Sequence, residues 1–388
     1  MTEKKENNAP RGQAIPRVSL GTSVFLLMAS LSFFLILLCA EEAVLGMKQS
    51  LVLCAKTVIP SLFPFMAVSE LIVRSGAASI LGRLLSPLFR GLFGIRGAGG
   101  TALLLGCACG FPIGAKSAVG LYDAGEISRG ELCHLLCFCN QPSSAFVTSV
   151  VGISLFGSYR FGLVLYAITL LSGLAVGIGC RFLLKKDDFV PAKKESQAEP
   201  SSGVARFTDA VSRSARGMLT VCAFVCFFGT LVTCLEALPA LSHVPHTLSA
   251  LLVGFFELTG GVARAATCTP PPLAAYAAAW CLGWSGLSVH FQVLSLCERT
   301  GLSFRPYFAA KAAQSALNVA LLALVLHAWP SLAPKGDIPS VSLHAPHRAW
   351  PIWLCLLLLA LSVCVAQWGK KHAVVQKFRQ KMRKKRAK

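Results

Sequence analysis

An uncharged apolar run of 23 residues, Val18–Ala40, sets the first limit on what this chain can become. A helix rises about 1.5 Å per residue, so about 20 apolar residues cross a hydrocarbon core of about 30 Å. Comparable runs return at Ser50–Val73, Arg160–Leu184, Leu219–Leu238, Tyr307–Trp329 and Trp350–Trp368. Lipid offers the backbone no hydrogen-bond partners, so runs of this length are read as helices. Val18–Ala40 exceeds the short apolar core of a secretory signal and is read as a span. The chain is 54% hydrophobic and 14% charged, against about 25% charged in soluble domains. The expectation is an all-α polytopic membrane protein.

The formal charge of +20 does not point to nucleic acid, because of where it lies. Ten Lys or Arg and no acid stand between Lys370 and Lys388, and aromatic residues barely interleave them. Further basic clusters occur at Lys4–Arg17 and Arg181–Lys194. Basic residues flanking apolar runs mark cytoplasmic segments and attract anionic lipid headgroups. The expected organisation is a cytoplasmic tail (1–17), a first membrane half (18–184) and a cytoplasmic linker (185–206). A second membrane half (207–329), an external loop (330–349), a last span (350–369) and a basic cytoplasmic tail (370–388) follow. Both termini are expected in the cytoplasm, in a multi-pass cell-membrane protein that contacts bilayer lipid. A homo-oligomer is a compatible assembly. The sixteen cysteines lie mostly inside apolar runs, without zinc-ribbon spacing, and read as small core residues.

Several apolar segments are interrupted. Ala77–Ile95 carries Arg83 and Arg90 among leucines and phenylalanines and reads as an amphipathic interfacial helix. Next comes GCACGFPIGAK, Gly106–Lys116. Gly106, Gly110 and Gly114 are spaced for a close-packed helix seam. Pro112 opposes a continuous helix, because it removes a hydrogen bond and clashes one turn back. A hairpin that turns at Phe111–Pro112 accommodates both facts. Its second helix would direct free N–H groups and a positive dipole end at an anionic group, with Lys116 adding a full charge. Ser128 and Glu131 are placed to form a capping box for the next helix, which runs to about Cys139. Asn140 and Gln141 then precede Pro142, either as ligand-binding amides or as caps of a broken end.

The second half repeats this pattern of interruption with GFFELTGG and GWSGLSVHFQ. Paired interrupted segments are the sequence sign of a transporter site between internal repeats. Glu257 closes an apolar run just before Thr259, and an ionisable group there is a candidate proton or cation site. Its alternative is a structural pair with Arg264. Ser288 and Gln292 share a helix face, whereas His290 points elsewhere and is a candidate proton relay. No hydrolase, metalloprotease, Walker or dinucleotide motif is intact, and no acidic cluster suggests a metal cage. No enzyme activity, cofactor or metal is expected.

G110-F-P-I-G-A-K116, D123-A-G-E-I-S128 and L135-L-C-F-C-N140 together resemble the sporulation integral membrane protein YlbJ (SpoVV) family, within the nucleoside-recognition (Gate) group. G254-F-F-E-L-T259, S285-G-L-S-V-H-F-Q292 and L302-S-F-R-P-Y307 extend the resemblance. It implies two pseudo-repeats with re-entrant hairpins and unwound helices, similar to concentrative nucleoside transporters. By that resemblance Gly110, Pro112, Gly114 and Lys116 form the first tip, and Asn140 and Gln141 begin the first unwound segment. Glu257 and Thr259 belong to the second tip, and Ser288, His290 and Gln292 to the second unwound segment. The implied cargo is dipicolinic acid, a small anionic substrate, moved from the mother cell across the outer forespore membrane. Gln141-Pro142-Ser143-Ser144 replaces the Asn and small-Gly-Pro element common in the family. That departure leaves open a transporter of nucleosides or another small metabolite. A non-transporting membrane scaffold is a further alternative.

Overall fold

The computed structural model describes residues 20–74, 77–183, 203–239 and 244–334. The N-terminal tail, most of the linker, nearly all of the external loop, the span at Trp350–Trp368 and the basic tail lie outside the described residues. The described residues are helical, and no strand occurs among them.

α1 (Leu20–Leu38) and α2 (Ala40–Leu53) meet at Cys39 with a bend of 102°. The run read as one span to Ala40 therefore ends at this corner, and the next helix begins at Ala40 rather than Ser50. Glu41 and Glu42 explain that start, since they fall in the first turn of α2, where carboxylates complement the helix dipole. A π-helical turn, Cys54–Val58, joins α2 to α3 (Ile59–Arg74). The turn changes register just ahead of Pro60, which has no N–H to contribute. α4 (Ala77–Leu92) buries Phe89 and leaves Arg90 exposed.

α5 (Gly99–Cys109) and α6 (Ile113–Asp123) form a hairpin that turns at Gly110–Pro112. α7 (Arg129–Cys139) starts in the expected capping box: Glu131 N donates to Ser128 Oγ at 3.1 Å, and Ser128 N donates to Glu131 Oε2 at 2.7 Å. The helix breaks at Asn140, resumes through a π-helical stretch, Phe146–Leu155, and leads to α8 (Tyr159–Leu183). α9 (Gly203–Ala237) begins well before Leu219, with Asp209 and Arg213 paired at 2.9 Å on its N-terminal end. A second hairpin follows, α10 (His246–Phe256) and α11 (Leu258–Ala266), turning at Glu257. α12 (Pro271–Trp284) and α13 (Gly286–Leu296) are separated at Ser285, and α14 (Arg305–Ala328) completes the set. Among the described residues α8, α9 and α14 are each long and apolar enough to cross a membrane, and the bent pair α1–α2 supplies a fourth candidate span.

Close backbone packing replaces much of the hydrophobic drive that lipid cannot provide. α12 buries a stripe of small residues, including Ala274, Ala275 and Ala278, and packs against α14. One apolar cluster joins the second hairpin to α8 and α12 through Leu165, Val262 and Leu282. Another joins the first hairpin to α7 and α13 through Leu121, Leu132 and Val293. α14 enters both clusters, with Leu322 in one and Tyr307 in the other. It is thereby placed between the two hairpin regions.

Candidate functional site

Each hairpin tip abuts the helix break of its own half. Gly110 has φ +83°, and a Cβ there would lie 2.6 Å from Ser143 N in the first break. Deeper in that hairpin, a Cβ on Gly106 or Gly114 would lie 1.9 or 2.2 Å from the Cys139 carbonyl oxygen. The glycine spacing and the Pro112 turn therefore serve one arrangement, in which the end of α7 is seated in the notch between α5 and α6. In the second half, a Cβ on Gly261 would lie 2.1 Å from Gly254 Cα, and one on Gly254 would lie 2.4 Å from Cys281 Sγ. Ser285 and Gly286 both have positive φ, at 77° and 80°. A Cβ on Gly286 would lie 2.9 Å from Leu258 N, so the second break presses on the second tip.

A buried polar belt along α14 meets the first break and reaches α12, the helix that ends at the second. Lys311, Gln314 and Asn318 follow i, i+3, i+7 spacing and share one helix face. Lys311 is 0% exposed. Its Nζ donates to the Asn140 carbonyl oxygen at 2.6 Å and to Gln314 Oε1 at 3.1 Å. Gln314 Nε2 donates to Gln141 Oε1 at 2.7 Å and to the Thr169 carbonyl oxygen at 3.1 Å. Gln141 Nε2 caps the broken end of α7 by donating to the Phe138 carbonyl oxygen at 2.9 Å. Gly173 on α8 makes room for these amides, because a Cβ there would lie 2.3 Å from Gln141 Nε2. Farther along, Asn318 Nδ2 donates to the Ala279 carbonyl oxygen at 3.0 Å, and Ser172 Oγ donates to Asn318 Oδ1. The belt thus joins the first break, α8, α14 and α12.

The residues singled out in the sequence fall into separate groups. Asn140 and Gln141 lie in the belt, and neither end of the Asn140 amide makes a hydrogen bond of normal geometry. His290 Nδ1 meets the Tyr307 hydroxyl at 2.8 Å, and its ring packs edge-on against Trp284. Gln292 Nε2 donates to Ser288 Oγ at 3.4 Å, so these two share a face and satisfy each other. Pro112 precedes α6 and gives it no side-chain cap. Lys116 is placed differently from the expectation of a lone cation facing a cavity. Its Nζ lies 3.2 Å from Glu70 Oε2 and 3.4 Å from Ser214 Oγ, between α6, α3 and α9. Nearby, the Ser69 and Ser117 hydroxyls meet at 3.0 Å. Glu257 does not pair with Arg264, which binds Glu236 instead. The Glu257 carboxylate accepts from Thr259 N at 2.9 Å and Gly260 N at 2.6 Å, and so caps α11.

Lys311, Gln314 and Asn318 did not stand out in the sequence, because they lie inside the apolar run Tyr307–Trp329. Their signal was the spacing itself: three polar side chains on one face of a span.

Broken helices, paired hairpin tips and a buried polar belt define a polytopic helical membrane protein with its polar chemistry inside the bundle. The nucleoside recognition (Gate) family model matches residues 55–159, which contain the first hairpin and the first break. Sporulation integral membrane protein YlbJ of Bacillus subtilis (strain 168) is 30% identical over 299 residues, covering 69% of this chain and 73% of that protein. The chain belongs to the YlbJ family of sporulation integral membrane proteins. No solved structure gives a significant match.

Proposed function

We propose that this protein transports a small organic anion, and that the anion is dipicolinate moving from the mother cell across the outer forespore membrane. The observation that carries the reading is the convergence of hairpin tips, helix breaks and a buried polar belt. Irregular backbone at membrane depth is tolerated where it is enclosed by protein or lines a water-filled path. Ionisable groups inside a bundle mark substrate or ion pathways. The two halves act as repeats, with the hairpins re-entering the membrane and both termini in the cytoplasm. The N-terminus of α6 at Gly110, Pro112 and Gly114 has no side-chain cap and favours an anion once the first break moves away from it. Asn140, Gln141, Thr259, Ser288 and Gln292 supply polar contacts as the tips and breaks separate. Glu257 couples transport to protons, because protonation would release two backbone amides at the second tip, and His290 relays the proton. Lys116, paired with Glu70, holds the first hairpin against α3 and α9.

The test is spore dipicolinate content in a deletion strain, with and without the complementing gene. The reading predicts dipicolinate-poor spores that complementation restores; normal content in the deletion strain would overturn it. A nucleoside is the second reading, favoured by the nucleoside-recognition match over the first hairpin. Uptake competed by nucleosides but not by dipicolinate would establish that alternative.

A further inference from the structure

We infer that Lys311 is the residue that recognises the charge of the cargo, by exchanging the Asn140 carbonyl for a carboxylate of a small organic acid. The inference rests on the transporter reading and adds the ligand class and its anchor.

Lys311 is fully buried, and among the described residues no carboxylate pairs with it. Taking an ammonium out of water costs several kcal/mol even after relaxation. Its two contacts, the Asn140 carbonyl oxygen and Gln314 Oε1, are neutral acceptors and do not balance the charge. Capping the broken end of α7 does not need a cation, since Gln141 caps the neighbouring Phe138 carbonyl with a neutral amide. The surplus is a positive charge, and its complement is an anion.

A second observation lies beside the first. The Asn140 side chain is 0% exposed and lies beside the Tyr307 hydroxyl, yet neither its Nδ2 nor its Oδ1 makes a hydrogen bond of normal geometry. Ser315 is 1% exposed, stands one turn beyond Lys311 on α14, and has an unpartnered Oγ. Leaving such groups unmade costs about 1–3 kcal/mol each. The first of these groups belongs to the residue whose carbonyl holds the ammonium, and the second lies one turn along α14 from Lys311. A carboxylate has two oxygens and about four lone-pair sites, enough for an ammonium, an amide N–H and a hydroxyl together. A neutral ligand would satisfy the amide and hydroxyl but leave the charge unbalanced. The Asn140 carbonyl holds the place of the carboxylate in this conformation, so cargo binding and movement of the first break are one event.

The measurement is equilibrium binding to the purified full-length protein in nanodiscs, using dipicolinate and its neutral diamide as probes. Wild-type protein should prefer the diacid by at least about tenfold, the scale of one charge-assisted contact. Lys311→Met should reduce that preference to within about twofold while remaining folded, because apolar replacement of a buried charge is often neutral or stabilising. Lys311→Arg should keep a preference for the diacid. Unchanged preference in Lys311→Met would overturn the inference while leaving the transporter reading standing. Equal weakening of both probes, with a lowered melting temperature, would make Lys311 a structural cap and also overturn it. If Lys311→Met does not fold, Lys311→Arg decides, and loss of its diacid preference would contradict charge recognition. Wild-type protein that binds neither probe would overturn the inference and the dipicolinate reading together.

Discussion

The two hairpins turn in similar surroundings but finish their second helices differently. At the first tip, α6 begins after Pro112 with no side-chain cap. At the second, α11 begins after Glu257, whose carboxylate holds the amides of Thr259 and Gly260. One positive helix end has no side-chain cap, and the other is capped by the protein's own anion. The lysines show the same contrast. Lys116 faces Glu70 at 3.2 Å, whereas Lys311 has only neutral acceptors among its described contacts. A charge already paired inside a bundle holds elements together, while an unpaired one is available to a ligand. The first half therefore carries the helix end without a side-chain cap and receives Lys311 from α14, and the second half carries the built-in carboxylate.

The largest effect should come from the packing that both hairpins share. Gly106→Val and Gly261→Val would each drive a side chain into backbone closer than 2.2 Å. Neither variant should yield monodisperse protein on size-exclusion chromatography; normal yield from one would show that its half packs more loosely. Next is the Lys116 clamp. Lys116→Ala should cost about 1–3 kcal/mol by removing the cation of the half-buried pair with Glu70, and Glu70→Ala in the same chain should recover part of it. Thermal unfolding in detergent reads both, and additive losses would mean the pair is not coupled. Glu257→Gln should cost about 1–2 kcal/mol through the weakened α11 cap, with no counterpart at the uncapped first tip. It should also flatten the pH dependence of transport; an unchanged pH profile would remove Glu257 from coupling. The smallest effect is Gly179→Ala, where nothing lies within 4 Å of the new Cβ. That variant should be stabilised by up to about 1 kcal/mol in the same unfolding assay.

Local chemistry in the sequence pointed directly to some of this. The Ser128–Glu131 box starts α7, and Pro112 with its glycines turns the first hairpin. Asn140 ends α7 because the sequence after it, Gln-Pro-Ser-Ser, does not continue a helix. Long-range pairing was hidden. Glu70 and Lys116 are far apart in the chain, and only the packing of α3 on α6 joins them. Arg264 lies near Glu257 in sequence but reaches Glu236 on α9 instead. The corner at Cys39 carries neither Pro nor Gly, so the apolar run across it reads as continuous. Lys311 was obscured because hydropathy averages over a span, whereas its importance depends on which face of α14 meets the break.

The account depends on an anion passing between the open tip and the broken helices. Flux of labelled dipicolinate into liposomes containing the purified full-length protein tests this most directly. The account predicts flux that saturates with concentration and is suppressed by unlabelled dipicolinate but not by its neutral diamide. Flux no greater than that of protein-free liposomes, with folded and inserted protein, would contradict it.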